Sequence, residues 1–148
     1  MAIENFSRNT VKIAIDGDAN KIIEFNPNDM LLRNRITQFM IDMQSKQDEM
    51  TKKAEALDAE SKTVTSGLPS NIKEVLAFNQ EVADYFMGEL DDIFGAGASV
   101  KLFGERSFDP ELMANFMAYA IDKVGETSKS KVEAKLGKPI KAPRSTKG

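Results

Sequence analysis

The chain has 148 residues, of which 41% are hydrophobic and 29% charged, a composition that suits one modest core with appendages. It contains neither cysteine nor histidine. Disulfides and thiolate or imidazole metal sites are therefore excluded, and the commonest general base is missing. We expect a protein that binds other proteins rather than an enzyme, with no cofactor and no metal.

The net charge of −3 conceals an uneven distribution. Residues 129–148 carry seven basic side chains and one acidic one, whereas residues 1–128 carry 13 basic and 22 acidic ones. A basic end on an acidic body fits a solvated segment, an arm that touches nucleic acid, or a segment that pairs with an acidic surface. Because no aromatic residue interleaves the basic ones, we expect no sequence-specific nucleic-acid binding.

The first ten residues lack a basic stretch followed by an apolar one, so we expect no signal peptide. No apolar run approaches the roughly 18 residues of a membrane span, which predicts no membrane association. A cytoplasmic location is the resulting expectation.

Residues 10–25 predict a β-hairpin with its turn at residues 16–20. Its apolar residues alternate with polar ones and share one face: Val11, Ile13, Ile15, Ile23 and Phe25. The turn opens like a calcium loop but lacks the glycine and the acid that such a loop needs at its sixth and twelfth positions. A lone hairpin is marginal in water, so this one is expected to lie on helices or to pair with another chain.

A long helix is predicted to follow, running to about residue 62. Asn26 is the expected cap, Pro27 suits the first helical position, and Asp29 favours the positive end of the helix dipole. One apolar row of this helix recurs every seven residues: Ile36, Met43, Met50 and Leu57. Lysines stand at the core positions between them, so we expect residues 47–62 to leave the body and become solvated.

Two shorter amphipathic helices are predicted after a loop at residues 63–70. The second helix covers residues 72–94, with Gly95 as its natural C-cap. A connector at residues 96–104 has room for one helical turn, and the pair Asp109-Pro110 then starts the third helix.

The expected fold class is mainly α: an N-terminal β-hairpin followed by one long helix and two shorter amphipathic helices, with a disordered basic C-terminal tail. Residues 1–125 are expected to form a single helical domain that includes the hairpin. Residues 126–148 lack a sustained apolar face and contain Gly137, Pro139 and Pro143, so a frayed helix and then a disordered tail are expected there.

Eight methionines and nine phenylalanines concentrate in the helical stripes. Most of them are expected to build the core. A body this small is expected to leave some apolar surface uncovered, and methionine side chains adapt to varied apolar partners. The margins of the stripes give the candidate partner-binding residues: Met87, Phe94, Phe103, Met113 and Met117.

The stretch from Leu90 to Gly104 reads LDDIFGAGASVKLFG. It combines an acidic-Ile-Phe-Gly helix end, a small Gly-x-Ser turn and a final Lys-Leu-Phe-Gly. This stretch resembles one found in small proteins from tailed phages and prophages of Gram-positive bacteria that are similar to tail assembly chaperones. The order of hairpin, long helix and two further helices over residues 10–125 fits the same family.

The resemblance implies a protein without catalytic residues that binds the tape measure protein and keeps it soluble before the tail tube polymerises. The implied partners are the tape measure protein and, on displacement, the tail tube protein, in the host cell cytoplasm; self-association is left open. The main alternative is a structural component of the virion, a tail or head-completion protein that assembles in a ring. A third is a nucleic-acid-associated accessory protein that acts through the basic tail.

Overall fold

The computed structural model describes residues 3–62 and 67–136, with side chains described up to residue 126. The tail predicted at residues 137–148 lies outside the described residues. The elements in chain order are β1 (Val11–Ile15), β2 (Asp18–Phe25), α1 (Met30–Glu60), α2 (Ile72–Phe94), α3 (Ala98–Phe103) and α4 (Pro110–Leu136). The prediction of a mainly helical fold with an N-terminal antiparallel hairpin is confirmed.

The hairpin turn is shorter than the predicted residues 16–20. Only Asp16 and Gly17 lie between the strands, with φ angles of 56° and 70°. Two successive residues with positive φ match the right-handed twist of the strands, so they close a hairpin without further loop residues. The residues after them join β2, where the strand pairing is irregular, and the Asn20 N–H donates to Asp18 Oδ1 at 2.8 Å.

The start of α1 was predicted wrongly, because the helix begins at Met30 and not at Pro27. Asn26 closes a turn instead: its Oδ1 accepts from the Asn28 N–H at 2.9 Å. Asp29 is the actual cap, since its Oδ1 accepts from the N–H groups of Leu31 and Leu32 at 2.9 and 3.3 Å. A carboxylate that accepts two free helical N–H groups is a stronger start signal than the proline before it.

The second half of α1 is not simply solvated, as residues 47–62 were predicted to be. Lys53 Nζ lies 2.8 Å from Glu81 Oε1 and 5.6 Å from the centre of the Phe78 ring, both on α2. Farther along, the Asn71 side chain donates to the Leu57 carbonyl oxygen at 2.8 Å. A lysine at a core position of the row can lay its stem along the neighbouring helix and place its ammonium group on a carboxylate and a ring.

The starts and ends of the remaining helices follow the predictions more closely. Gly95 follows α2, and its N–H donates to the Asp91 carbonyl oxygen at 2.8 Å. Asp109 caps α4, with Oδ1 accepting from the N–H groups of Glu111 and Leu112 at 3.0 and 3.2 Å. The helix passes through Gly125 and continues to Leu136. Among the described residues, no helix combines the length and apolar character needed to cross a membrane.

Contacts divide the chain into two compact units. The first consists of the described residues within Met1–Arg33 and Asp109–Gly148, and its buried apolar residues are Ile23, Phe25, Leu32, Met113, Phe116, Met117, Ala120 and Val124. The second is Asn34–Phe108, and its buried apolar residues are Ile36, Phe39, Leu90, Ile93, Ala98 and Leu102. That residues 1–125 act as a single domain stays a prediction.

The cap of α1 gives a direct test of the observed helix start. Replacing Asp29 by Ala should lower the free energy of unfolding by about 1 kcal/mol, because two N–H groups lose their acceptor. Asp29→Asn keeps the acceptor and should change stability by only a few tenths of a kcal/mol. Urea denaturation followed by circular dichroism measures both, and equal losses for the two variants would contradict the capping role.

Candidate partner-binding surface

The stretch that carries the family resemblance is the junction between α2 and α3. Asp91, in the last turn of α2, accepts two hydrogen bonds from Ser99 in the first turn of α3. The Ser99 N–H donates to Asp91 Oδ1 at 2.7 Å, and the Ser99 hydroxyl donates to Oδ2 at 3.1 Å. Ser99 is buried, so its polar groups need these partners. Asp91 therefore caps a helix that starts seven residues after it.

Glycine makes this tight junction possible. Gly97 precedes α3 with a φ of 88° in the left-handed region, which glycine adopts without a steric penalty. The turn brings the buried side chains of Leu90 and Ile93 on α2 and of Ala98 and Leu102 on α3 into one core. The sequence signature of residues 90–104 is thus explained by packing and capping rather than by a reactive site.

A chain of aromatic contacts extends this core. Phe103, at the end of α3, meets Phe108 edge to face at 5.1 Å between ring centres. Phe108 is stacked on Phe86 at 5.8 Å, and Phe86 meets Phe39 of α1 at 6.4 Å. Such pairs contribute about 0.5–1.5 kcal/mol each beyond their buried area, so they hold α1, α2 and α3 together in the second unit.

The five residues predicted to bind a partner do not share one environment. Met113 and Met117 lie on α4 and are only 4% and 5% exposed, which makes them core residues of the first unit. Met87, Phe94 and Phe103 belong to the second unit and are half-buried. Side chains that the chain itself has already covered offer little area to a partner. Binding through the three half-buried residues stays a prediction.

Sequence reasoning missed a larger apolar surface in the second unit. We call residues 40–60 of α1 and residues 72–89 of α2 the arm. Lys46 contacts Tyr85, and Lys53 contacts Glu81. The two helices therefore run antiparallel along the arm, since a later residue of α1 contacts an earlier residue of α2. None of the arm's residues, all of which the structure describes, is buried.

Each helix of the arm carries a row of apolar residues. They recur at intervals of three, four or seven residues, which keeps them on one face of an α-helix. We call this set the arm face: Met40, Met43, Met50, Leu57, Ile72, Val75, Leu76 and Ala83. Met40 and Leu76 are 46% and 60% exposed, and the other six members are half-buried. The heptad spacing of apolar residues in α1 is the sequence feature from which this surface could have been predicted.

An acidic depression with a volume of about 310 Å³ lies between α1 and α2. Its lining includes three carboxylates, those of Asp42, Glu89 and Asp92. Burial and the neighbouring charges of Asp92 and Asp42 raise the pKa of Glu89 above the ordinary value. The Arg35 Nε–H in the same depression donates to the carbonyl oxygen of Ile93 at 3.1 Å, close to the negative end of α2.

These surfaces are apolar and acidic in character. Within the part of the chain that the structure describes, no three carboxylate, thiol or imidazole groups are placed to hold a metal ion together. The polar groups of the α2–α3 junction are occupied in capping. The accessible features are the apolar arm face and an excess of negative charge around it.

The α2–α3 junction can be tested through its cap. Asp91→Ala leaves the N–H and hydroxyl of buried Ser99 without acceptors, which should cost about 1–3 kcal/mol of unfolding free energy. Ser99→Ala removes only the hydroxyl bond and should cost about 1 kcal/mol. Asp92→Ala is the matched control, because this neighbouring side chain is exposed. If Asp91→Ala were as stable as the control in urea denaturation, the capping role would be refuted.

The two arm glutamates with shifted pKa values should respond oppositely to neutralisation. Glu89 has a raised pKa, so its protonated form is favoured by folding and stability falls as the pH rises through that pKa. Glu89→Gln should therefore raise the melting temperature at pH 7. The hydrogen bond from Lys53 lowers the pKa of Glu81, so Glu81→Gln should lower the melting temperature at pH 7.

As the pH falls, the Glu89→Gln difference should shrink first, because the pKa of Glu89 is raised. The Glu81→Gln difference should shrink only at lower pH, because the pKa of Glu81 is lowered. Thermal melts of the wild type and the two variants at a series of pH values from pH 7 downward measure the effect. A Glu89→Gln variant that is less stable than the wild type at pH 7 would show that the carboxylate has a favourable partner.

Comparison of the chain with models of known protein families, with curated proteins and with solved structures gives no match. No relative therefore supplies a function or a binding site for this chain. Any functional inference rests on its own residues, in particular on the stretch 90–104 and on the arm.

Proposed function

We propose that this chain is a phage tail assembly chaperone, which binds the tape measure protein and keeps it soluble before the tail tube polymerises around it. The observation that carries the proposal is the arm face, a row of apolar side chains on two paired helices that no third element among the described residues buries. The arm extends from the α2–α3 junction, and the junction is the stretch that resembles tail assembly chaperones.

The tape measure protein is expected to be long, helical and apolar, so before assembly it exposes stripes that would aggregate. An amphipathic helix can lay its apolar side against the apolar side of a pair of helices, and the arm face would serve as such a surface. Methionines at positions 40, 43 and 50 suit a partner whose sequence varies along its length, since methionine side chains reshape to fit different apolar groups.

Release is as important to the proposed function as binding. The side chains of the arm face are already half-buried, so each one gains only part of the roughly 1.5–3 kcal/mol of full burial. Weak contacts repeated along the tape measure protein would retain many copies through avidity and still allow displacement by tail tube subunits. The acidic surface of the arm would keep such a complex in solution.

Co-expression with the tape measure protein tests the proposal. The wild-type chain should keep the tape measure protein in the soluble fraction and co-purify with it. Removing two exposed apolar contacts with Met40→Ser and Leu76→Ser should weaken co-purification by about ten-fold or more without unfolding the chain. Circular dichroism melts establish that the fold is intact.

Ile41→Ser is the matched control. Ile41 is 55% exposed on the same helix as Met40 but lies off the arm face, so this variant should bind as the wild type does. Failure of the wild-type chain to solubilise or retain the tape measure protein would contradict the proposal. Recovery of the chain from purified particles in a fixed ring stoichiometry would favour the structural virion alternative instead.

A further inference from the structure

The arm is strongly acidic as well as apolar. Residues 40–60 and 72–89 carry ten acidic and four basic side chains, a net charge of −6. Nine of the ten carboxylates are exposed, Glu89 being the half-buried one. An apolar face bordered by uncompensated negative charge selects for a partner segment that combines apolar side chains with positive charge.

The chain itself contains a segment of this composition. Residues 129–148 carry seven basic side chains and one acidic one. Their net charge of +6 is equal in size and opposite in sign to the net charge of −6 on the arm. Three apolar residues recur among the basic ones at intervals of four in the sequence: Val132, Leu136 and Ile140. The first part of this segment, up to Leu136, has helical backbone as the end of α4.

We propose that residues 129–148 of one copy dock on the arm face of a second copy. The described side chains, which extend to residue 126, leave Leu76 60% exposed and Met40 46% exposed, so they do not cover this face. The basic segment is the part of the chain whose charge complements the arm. A second copy can present it to the arm whatever the arrangement of the two units within one chain.

The proposed contact is heterologous, because a different surface of each copy takes part. Each added copy brings an unoccupied arm or an unoccupied basic segment, so contacts of this kind can add copies in a row unless the assembly closes into a ring. The contact does not depend on the tape measure protein. It uses the same arm face, however, so a tape measure helix would compete with it.

Two charge-reversed variants test the proposal with the full-length chain. The tail-reversed variant carries Lys131→Glu, Lys135→Glu and Lys138→Glu. The arm-reversed variant carries Asp48→Lys, Glu55→Lys and Glu74→Lys, three exposed positions on the arm. Thermal melts at low protein concentration verify that both variants keep the wild-type fold.

Sedimentation velocity over a concentration series gives the readout. The wild type should self-associate, and the association should weaken as salt rises from about 0.1 M to about 1 M, where the screening length falls from about 10 Å to about 3 Å. Each variant alone should associate at least about ten-fold more weakly than the wild type. Its three substitutions bring the net charge of the basic segment from +6 to 0, or that of the arm from −6 to 0, so one of the two complementary charges is lost.

Mixing the two variants should restore association, since the unchanged basic segment of the arm-reversed variant can dock on the unchanged arm of the tail-reversed variant. This rescue distinguishes docking between copies from docking within one chain, which mixing cannot restore. A monomeric wild type at all concentrations would overturn the proposal. So would a tail-reversed variant that associates as the wild type does, because the arms would then be pairing with each other. None of these outcomes bears on binding to the tape measure protein, which the co-expression experiment measures separately.

Discussion

Two paired helices can bury only the sides that face each other, and this limit governs the arm, of whose residues none is buried. Its interhelical contacts are of the kind found at surfaces: Lys46 lies over the Tyr85 ring at 4.9 Å, and Lys53 bridges to Glu81 at 2.8 Å. Such contacts contribute little individually, since exposed ion pairs are worth at most about 1 kcal/mol. The arm therefore depends on its base for stability and leaves Met40 and Leu76 of the arm face exposed.

The base of the arm is fixed by the α2–α3 junction. Two hydrogen bonds from Ser99 to Asp91 and the left-handed Gly97 fold α3 back beside α2, and the buried Leu90 and Leu102 fill the space between them. Within residues 90–104, Asp91, Gly97 and Ser99 form the junction itself, and Leu90 and Leu102 are buried beside it.

Local signals were sufficient for much of the fold. Alternating apolar residues predicted the hairpin, Gly95 marked the end of α2, and the pair Asp109-Pro110 marked the start of α4. These features depend on interactions within a few residues, which a sequence pattern records directly. The start of α1 was missed because Asn26 and Asp29 are both good caps, and the sequence does not say which of two neighbouring caps the helix uses.

By itself, the sequence determined the helical class, the hairpin, the acidic body with its basic end and the heptad row that follows α1. Only the tertiary structure decided which apolar residues are covered: Met113 and Met117 are core residues, whereas Leu76 is left exposed. It also decided that Lys53 lies against α2 and not in water. Periodicity shows which side of a helix is apolar, but burial depends on what packs against that side, and that partner lies far away in the chain.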